Sequence, residues 1–313
     1  MNSRKIVVAI VKNEAGEILL SERLAGVHLA GFWEFPGGKV EESESFKLAL
    51  RRELYEEVGI QLESCCKLVE FDYRYDDRLL HFQAYIVHYD GDVVPKEGQK
   101  TKWVDQFELD KVDLPPANQC ILSALLLPNA YMIADYSVLG DEIVNIVKNQ
   151  LQNGISLIQF RASSLDKNKY ITIAKELASL CREYSTKLII NSDIVWNEEI
   201  KADGVHLNSH RLKHLFNHQE KSNSFDLFSA SCHDEREVEY ANALNVKTIL
   251  IGSVQKSKSH PDSEPLGWAR FSQLCLKANM PVFAIGGLRV GDIAQAKVQG
   301  AQGIAGIREF IPR

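Results

Sequence analysis

Short runs of apolar residues along the first part of the chain, several of them rich in β-branched or aromatic residues, are typical of β-strands. Five such runs occur, at residues 5–11, 18–20, 66–75, 79–89 and 101–104. A turn signal at residues 13–16 separates the first two runs, which predicts a β-hairpin. Asp76 and Asp77 mark a second turn between the third and fourth runs. We therefore expect a small sheet in this part of the chain.

One stretch between these strands has a helical period instead. Its apolar positions are Phe46, Ala49, Leu50 and Leu54. This spacing predicts a helix over residues 45–58 with one buried face. Ser43 is its predicted N-cap, and Gly59 is its predicted C-terminal stop. A further helix is expected over about residues 119–127, so the order of elements predicts a mixed sheet between helices.

The pattern changes at Pro128 and Asn129, where short apolar strands begin to alternate with amphipathic helices. The predicted strands are residues 131–134, 156–160, 187–190, 204–207, 228–231, 247–251, 281–285 and 303–306. Predicted helices between them include residues 141–153, 167–184 and 235–244. Eight such steps predict a compact TIM (β/α)8 barrel. We therefore expect two domains, at residues 1–127 and 128–313.

Composition narrows the class of protein. The chain has 313 residues, of which 45% are hydrophobic and 25% are charged, which is ordinary for a globular protein. Its net charge of −6 argues against non-specific binding to nucleic acid polymers. No run approaches the length of a membrane span, and the strand-like start lacks a signal-peptide cleavage site. No C-x-x-C pair occurs, so we expect reduced thiols and a cytoplasmic location.

Candidate chemistry lies on the first predicted helix. Glu53, Glu56 and Glu57 fall on one side of it, because residues three and four apart are neighbours on a helix. Unpaired carboxylates so close would raise one another's pKa, and a hard divalent cation such as Mg2+ removes that conflict. Arg52 is expected to pair with one glutamate and fix its orientation. The alternative is a solvated acidic helix face.

A longer motif favours the first interpretation. Residues 38–60 fill the template G-x5-E-x7-R-E-U-x-E-E-x-G-U, in which U is aliphatic. This stretch resembles the Nudix box of metal-dependent hydrolases. The adjoining segment EFPGGKVE is similar to that of the MutT-type hydrolases, and the resemblance covers about residues 3–127. It implies an α/β/α sandwich with a mixed sheet.

The resemblance also implies site residues and a reaction. The metal ligands would be Gly37, Glu53, Glu56, Glu57 and Glu97, holding Mg2+ with Mn2+ as a substitute. Residues lining the nucleotide site would be Arg23, His28, Phe35, Gly37, Gly38, Lys39, Arg78 and Asn118. Tyr75 stands where that family has Phe, and Asn118, in PPAN, would bind the oxidised purine; the alternative is a helix N-cap. The implied reaction converts 8-oxo-dGTP to 8-oxo-dGMP and pyrophosphate, which cleanses the nucleotide pool and protects DNA from mutation.

The second domain resembles thiamine-phosphate synthase and the related thiazole tautomerase. The matching segments are LIQFRASSLD, LIIN, ADGVHL, SASCH and AIGG, with Gln159 and Arg161 retained. Ser192 and Arg211 stand where the synthases carry metal-binding aspartates. Ala162 or Ser163 replaces their lysine after QLRE, and about His260 corresponds to their phosphate-gripping lysine. Without those carboxylates, synthase activity is not expected.

Three residues of the barrel remain as candidates for chemistry or binding. Gly286 and Gly287 follow the seventh predicted strand, where barrel proteins bind phosphate through backbone N–H groups. His233 follows the fifth strand, at the position of the tautomerase's acid–base histidine. The alternative for His233 is a polar rim residue with no present task.

The sequence leaves three hypotheses open. The first is a MutT-type hydrolase joined to a degenerate barrel. The second is a Nudix enzyme acting on a thiamine-pathway pyrophosphate, with the barrel supplying or receiving its ligand. The third treats the barrel as a binding or scaffold module that regulates the Nudix half. All three predict a nucleotide or small phosphorylated ligand as partner, and neither a nucleic acid polymer nor a membrane.

Overall fold

The chain folds into two compact units, Met1–Leu126 and Leu127–Arg313. The structure is a computed structural model that describes residues 4–24, 26, 29–75, 78–218, 227–256 and 264–311. His28, His260 and the turn at Asp76 and Asp77 lie outside the described residues.

Seven strands build a mixed sheet in the first unit. They are β1 (Arg4–Lys12), β2 (Glu17–Glu22), β3 (Trp33–Glu34), β4 (Gly37–Lys39), β5 (Cys66–Tyr75), β6 (Arg78–His88) and β7 (Thr101–Asp105). The main order is β3-β2-β1-β6-β5, with β4 paired to β1 and β7 to β2. β1 and β2 are antiparallel, which confirms the predicted hairpin, whereas β1 and β6 are parallel.

The alternation of β1 divides the core of this unit between two helices, α1 (Phe46–Val58) and α2 (Pro116–Leu126). Val7 and Ala9 share a buried cluster with Leu50 and Leu54 of α1. The intervening side chains of β1 point to the other face, because side chains alternate along a strand. There Val8 and Ile10 pack with Ala117 and Ile121 of α2. The sheet is therefore covered on both faces, as the α/β/α sandwich predicts.

Two details at helix ends differ from the sequence prediction. Ser45, not Ser43, is the N-cap of α1: its side chain accepts a hydrogen bond from Leu48 N. Ser43 has a φ of 69°, within the turn before the helix. Gly59 ends α1 in the left-handed conformation, as predicted. α2 begins at Pro116, several residues early, since proline suits the first position of a helix.

Eight parallel strands close the barrel of the second unit in the order β10-β11-β12-β13-β14-β15-β8-β9. They are β8 (Ala130–Asp135), β9 (Leu157–Arg161), β10 (Lys187–Asn191), β11 (Gly204–Leu207), β12 (Leu227–Cys232), β13 (Thr248–Gly252), β14 (Val282–Ile285) and β15 (Gly303–Gly306). Each lies within a residue or so of its predicted position. The predicted α/β fold, a mixed-sheet sandwich followed by a TIM barrel, is confirmed.

Helices surround this barrel. They are α3 (Tyr136–Leu139), α4 (Ile143–Gln152), α5 (Lys167–Glu183), α6 (Asn197–Ile200), α7 (Ser209–His218), α8 (Glu235–Ala243), α9 (Gly267–Lys277) and α10 (Ile293–Val298). Short 3-10 helices are Leu109–Lys111 in the first unit and Gly140–Glu142, Ile194–Trp196, Val290–Asp292 and Arg308–Phe310 in the second. Large side chains such as Tyr131, Phe228 and Phe283 fill the barrel interior, which is a packed core and not a pore.

No helix among the described residues is long and apolar enough to cross a bilayer. All six cysteines are free thiols. Four of them, Cys120, Cys181, Cys232 and Cys275, are buried.

A charged cluster between β5 and β6 generates a pH-dependent prediction. His81 faces Asp72 across the two strands, with Nδ1 at 2.7 Å from Asp72 Oδ1 and Nε2 at 3.1 Å from Glu70 Oε1. The hydrogen bond to Asp72, followed by that to Glu70, raises the pKa of His81 to about 9. The imidazolium therefore stabilises the fold below the ordinary histidine pKa of about 6.5, and the gain disappears as pH rises through 9.

We expect His81→Gln to melt at a lower temperature than the unsubstituted chain at pH 6 to 7, with the gap closing by pH 10. Calorimetry of both proteins across this pH range measures the effect. His88→Gln, at the exposed end of the same strand, is the matched control and should show no such gap. A gap of constant size at all pH values would contradict the assigned role of the imidazolium.

Candidate active site and barrel cavity

Arg52 is the hub of the acidic cluster on α1. Its guanidinium donates to both carboxylate oxygens of Glu44, at 3.2 and 3.0 Å. It also donates to Glu53 Oε1 at 2.9 Å and to Glu56 Oε2 at 3.1 Å. A fifth hydrogen bond, 3.0 Å long, reaches the Lys39 carbonyl oxygen. These contacts raise the pKa of Arg52 further and fix three carboxylates around one cation.

Glu57 stands apart from this hub. Its Oε2 accepts a hydrogen bond from the Gly37 N–H, 3.0 Å long. Burial, together with the charges of Glu53, Glu34 and Glu97, raises the pKa of Glu57 to about 8. Burial also raises the pKa of Glu53, against the pull of the Arg52 guanidinium. Negative charge is thus unfavourable on this side of α1 without an additional cation.

The two glycines of the EFPGG segment let β4 approach the neighbouring groups closely. Gly37 has a φ of 146°, and a Cβ added to it would lie 2.2 Å from the Val7 carbonyl oxygen. A Cβ on Gly38 would lie 2.3 Å from Glu53 Oε1. Any larger residue at either position would displace the strand or the carboxylate. The glycines therefore set the distance between β4 and the acidic face of α1.

A loop after β6 brings Glu97 towards the same carboxylates. Lys96 N and Gln99 Nε2 both donate to the Glu57 carbonyl oxygen at 2.9 Å. Gln99 Oε1 in turn accepts from Glu97 N at 3.1 Å. Sequence reasoning missed Gln99, which is buried and ties this loop to the end of α1. Its only sequence signal was its place beside Glu97 in PKEGQ.

The donor set fits Mg2+ chemically. Carboxylates whose negative charge is disfavoured by burial and by one another gain from a divalent cation. No group of three or more acidic, histidine or cysteine side chains forms a preassembled cage in the part of the chain that the structure describes. Mg2+ commonly takes one or two carboxylates, several waters and substrate phosphates instead of an all-protein cage. The arrangement at Glu53, Glu57 and Glu97 suits that mode.

Some of the predicted nucleotide-binding residues lie near the start of α2. Phe35 is buried in the cluster that contains Ala117, and Tyr75 is partly buried against it. Arg78 lies with its guanidinium 5.9 Å from the centre of the Tyr75 ring. Asn118 is only 6% exposed and occupies the first turn of α2, so it is not the helix N-cap.

Glu34 and Arg23 connect this region to the acidic cluster. Arg23 Nη1 donates to Glu34 Oε2 in an ion pair. Burial raises the pKa of Glu34, while Arg23 lowers it, and the Glu34 charge also acts on Glu57. Sequence reasoning missed Glu34, although it stands in the EFPGGKVE segment. Lys39 is exposed, and only its backbone carbonyl takes part in the Arg52 hub.

A cavity of about 970 Å³ opens at the carboxyl ends of the barrel strands. The ionisable and hydroxyl groups on its lining include Arg161, Ser163, Ser209, Arg211, Ser231, His233, Ser253, Lys256, Arg289, Arg308 and Glu309. Gly286 and Gly287 also line it, with φ values of 99° and 72°. A Cβ on Gly287 would lie 2.4 Å from the Lys256 carbonyl oxygen, so this turn requires glycine.

His233 has a fixed orientation at the cavity. Its Nδ1 donates to the Gly252 carbonyl oxygen at 2.6 Å, and its backbone N–H donates to Glu237 at 2.6 Å. A histidine that donates from Nδ1 carries its acid–base function on Nε2. This hydrogen bond therefore fixes the tautomer and the orientation of the ring at the cavity.

The positions that resemble metal-ligand sites do not fit a divalent cation. Ser192 is buried, and its hydroxyl donates to the Asp193 carbonyl oxygen at 3.3 Å. Arg211 places a guanidinium at the cavity and donates to Asn191 Oδ1 at 3.2 Å. Glu309 is the one carboxylate among the described residues of the lining. A hard cation needs several oxygen ligands, whereas this cavity is rich in positive charge.

A buried polar network crosses the interior beneath the cavity. His206 bonds Ser229 Oγ at 2.8 Å and Ser231 Oγ at 2.9 Å, and Tyr131 bonds Ser229 at 3.1 Å. Burial lowers the pKa of His206 to about 3, so the ring is neutral. Sequence reasoning did not single out these residues. A histidine inside the apolar run GVHL was the available signal.

Comparisons with known proteins match the two units separately. The family described as thiamine monophosphate synthase matches residues 130–310, and the NUDIX domain matches residues 7–124. A putative thiamine-phosphate synthase 2 of Aquifex aeolicus is 30% identical over 185 residues, which is 59% of this chain and 98% of that protein. An 8-oxo-dGTP diphosphatase of Haemophilus influenzae is 38% identical over 123 residues, which is 39% of this chain and 90% of that protein.

A solved structure supports the fold of the barrel. The thiamine phosphate pyrophosphorylase of Pyrococcus furiosus superposes with a TM-score of 0.50 at 23% identity, over 62% of this chain and 88% of that one. The chain therefore belongs to the thiamine monophosphate synthase family and carries, ahead of that barrel, a Nudix domain similar to the MutT-type hydrolases.

Proposed function

We propose that the Nudix domain hydrolyses 8-oxo-dGTP to 8-oxo-dGMP and pyrophosphate, and so removes an oxidised precursor of DNA from the nucleotide pool. The convergence of Glu53, Glu57 and Glu97 beneath Gly37 and Gly38 supports the hydrolysis most directly. The Haemophilus influenzae relative, named for this activity, supports the choice of substrate.

Mg2+, or Mn2+ as a substitute, would be held by five residues: Gly37, Glu53, Glu56, Glu57 and Glu97. When bound, the metal neutralises phosphate charge and lowers the pKa of an attacking water. Water adds to phosphorus as one phosphoanhydride bond breaks, and a glutamate of this set accepts the water proton.

The chain's own residues position this chemistry. Arg52 orients Glu53 and Glu56 through charge-assisted hydrogen bonds, and Gly37 orients Glu57. Arg23, Lys39 and Arg78, with His28 outside the described residues, would contribute positive charge or hydrogen bonds to the nucleotide.

Base selection would depend on Asn118. Its side chain offers both a donor and an acceptor, which suits a purine edge altered by oxidation. A buried polar group that lacks its partner carries a penalty, so the site would reject the unoxidised base. Phe35 and Tyr75 would supply apolar and aromatic contact with the base.

For the whole chain, we propose functional domains at residues 1–127 and 128–313 and a cytoplasmic location. The substrates would be a nucleoside triphosphate and a small phosphorylated ligand of the barrel, with neither a nucleic acid polymer nor a membrane as partner.

His233 favours a second candidate function, in the barrel. Its fixed ring would transfer a proton on a thiazole phosphate, which requires neither metal nor pyrophosphate. Backbone N–H groups at Gly286 and Gly287 would hold the phosphate. A Nudix domain that instead hydrolyses a thiamine-pathway pyrophosphate, and a barrel that only regulates the Nudix half, are the alternatives that activity measurements distinguish.

Glu57→Gln tests the hydrolytic site. We expect kcat for 8-oxo-dGTP to fall by about a hundredfold or more, because the variant loses a charged ligand or base. The melting temperature should stay the same or rise, since the amide oxygen can still accept from Gly37 N–H and a buried charge is removed. Glu63→Gln, an exposed acid after α1, is the control. Near-normal Mg2+-dependent turnover in Glu57→Gln would refute the assignment.

Asn118→Ala tests base selection. We expect the ratio of kcat/KM for 8-oxo-dGTP over dGTP to fall about tenfold to a hundredfold, because a hydrogen bond to the base contributes about 1–3 kcal/mol. Basal turnover of dGTP should change less. Gln119→Ala, at the exposed neighbouring position, should leave the ratio unchanged. An unchanged ratio in Asn118→Ala would exclude this residue from base selection.

The barrel should fail to join the two substrates of thiamine-phosphate synthase, because its cavity lacks the carboxylates that hold Mg2+ on a pyrophosphate leaving group. The full-length Glu57→Gln protein is the right one to assay, since its Nudix domain should not destroy the pyrophosphate substrate. Product analysis by chromatography should detect no thiamine phosphate with Mg2+ present. Formation of that product at an enzymatic rate would contradict the prediction.

A further inference from the structure

The charge of the barrel cavity is one-sided. Five cationic side chains lie on its described lining, namely Arg161, Arg211, Lys256, Arg289 and Arg308, against the single carboxylate of Glu309. Arg161 has a partner outside the lining, Asp135, at 3.5 Å. Positive charge gathered in a concave site attracts anions and raises their local concentration. The cavity is therefore suited to an anionic ligand.

Arg211 differs from the other cations of the lining in its surroundings. It is half-buried, and burial lowers the pKa of its guanidinium. Its hydrogen bond to Asn191 goes to a neutral amide, and no carboxylate lies within ion-pair distance among the described residues. Asp193 exerts some attraction, but its carboxylate caps the 3-10 helix Ile194–Trp196 by accepting from Val195 N. Arg211 therefore carries a partly desolvated charge that an anion would balance.

Two amides hold this guanidinium in place, the partly buried Asn191 and the buried Gln159. Asn191 Oδ1 accepts from Arg211, while Asn191 Nδ2 donates to Gln159 Oε1 at 3.0 Å. Gln159 is almost fully buried in the middle of β9, so it fixes which oxygen and nitrogen of Asn191 face each neighbour. Gln159 Nε2 is buried and has no hydrogen-bond partner among the residues that the structure describes. These hydrogen bonds, from Arg211 to Asn191 and from Asn191 to Gln159, hold the guanidinium at the cavity in the absence of a ligand.

From this geometry we propose that Arg211, positioned by Asn191 and Gln159, forms a metal-independent subsite for a phosphate or pyrophosphate group of a small ligand. A planar guanidinium can bind phosphate oxygens through two parallel hydrogen bonds. It supplies a permanent positive charge where the carboxylate-poor lining cannot hold Mg2+. This subsite and the proton transfer proposed for His233 both require that the cavity bind a ligand. The subsite does not otherwise depend on catalysis by His233.

Calorimetric titration of the full-length chain with inorganic pyrophosphate tests this subsite. The Glu57→Gln background and excess EDTA remove metal-dependent binding at the Nudix domain. Ionic strength is held constant, because salt screens charged binding. We expect binding without a divalent cation, and we expect Mg2+ to weaken it, because the metal competes with the protein for pyrophosphate. Absence of binding in EDTA, with binding restored by Mg2+, would overturn the proposal.

Three substitutions in that background separate the role of the guanidinium from general charge. Arg211→Gln should weaken pyrophosphate binding about tenfold to a hundredfold, the range of a lost hydrogen bond to a charged group. Arg211→Lys should recover part of the loss, since lysine keeps the charge without the planar fork. Lys213→Gln removes an exposed cation of the same helix, outside the cavity lining, and is the matched control. Equal effects of Arg211→Gln and Lys213→Gln would refute a specific subsite.

Asn191→Asp provides an independent test that keeps Arg211 in the chain. It places a carboxylate against the guanidinium, and Gln159 can turn its unpartnered Nε2 to donate to the new oxygen. The internal ion pair should compete with pyrophosphate and weaken its binding about tenfold or more, while thermal melting shows a fold at least as stable. Unchanged affinity in this variant would contradict the proposal. In chains with Glu57 intact, both Arg211→Gln and Asn191→Asp should hydrolyse 8-oxo-dGTP at the unsubstituted rate. Loss of pyrophosphate binding in the barrel can therefore be distinguished from loss of the proposed Nudix activity.

Discussion

The burial of a carboxylate against its neighbours is the constraint on which the N-terminal unit depends. Glu57 is held under β4 by a single backbone hydrogen bond, with Glu53 and Glu97 adding to its unfavourable charge. Arg52 relieves the repulsion among Glu44, Glu53 and Glu56 only. Negative charge at the Glu57 end of the acidic face is therefore left without a balancing cation among the described residues. Such an imbalance favours binding of a cation and, through it, of phosphate.

Much of this arrangement follows from local sequence rules. Spacing alone places the three glutamates on one side of α1, and alternation in β1 sends its apolar residues to both faces of the sheet. The barrel strands were predictable because short apolar runs recur between amphipathic helices. Gly59 was predictable as a stop because its left-handed conformation favours glycine.

Other features depend on tertiary contacts that no local pattern reports. Ser43 and Ser45 are equally good N-caps by residue type, and the left-handed turn at Ser43 decides between them. Gln99 anchors its loop to the end of α1 because the loop folds back and places the Gln99 amide against the Glu57 carbonyl oxygen. Arg211 and Asn191 are twenty residues apart, and the parallel pairing of β10 with β11 brings the guanidinium to that amide. Sequence could therefore name the Nudix chemistry but not the positioning residues in either unit.

The candidate sites of the two units carry opposite charge. Carboxylates dominate the candidate Nudix site, so under the proposed function its affinity for a polyphosphate would follow the supply of divalent cation. Guanidinium and ammonium groups dominate the barrel cavity, so its affinity for an anion would fall with rising salt but would not require a metal. At the barrel position that resembles a metal-ligand site of the synthases, Arg211 would supply the positive charge instead. A site that loses its metal can keep its anion when a fixed guanidinium takes over the positive charge.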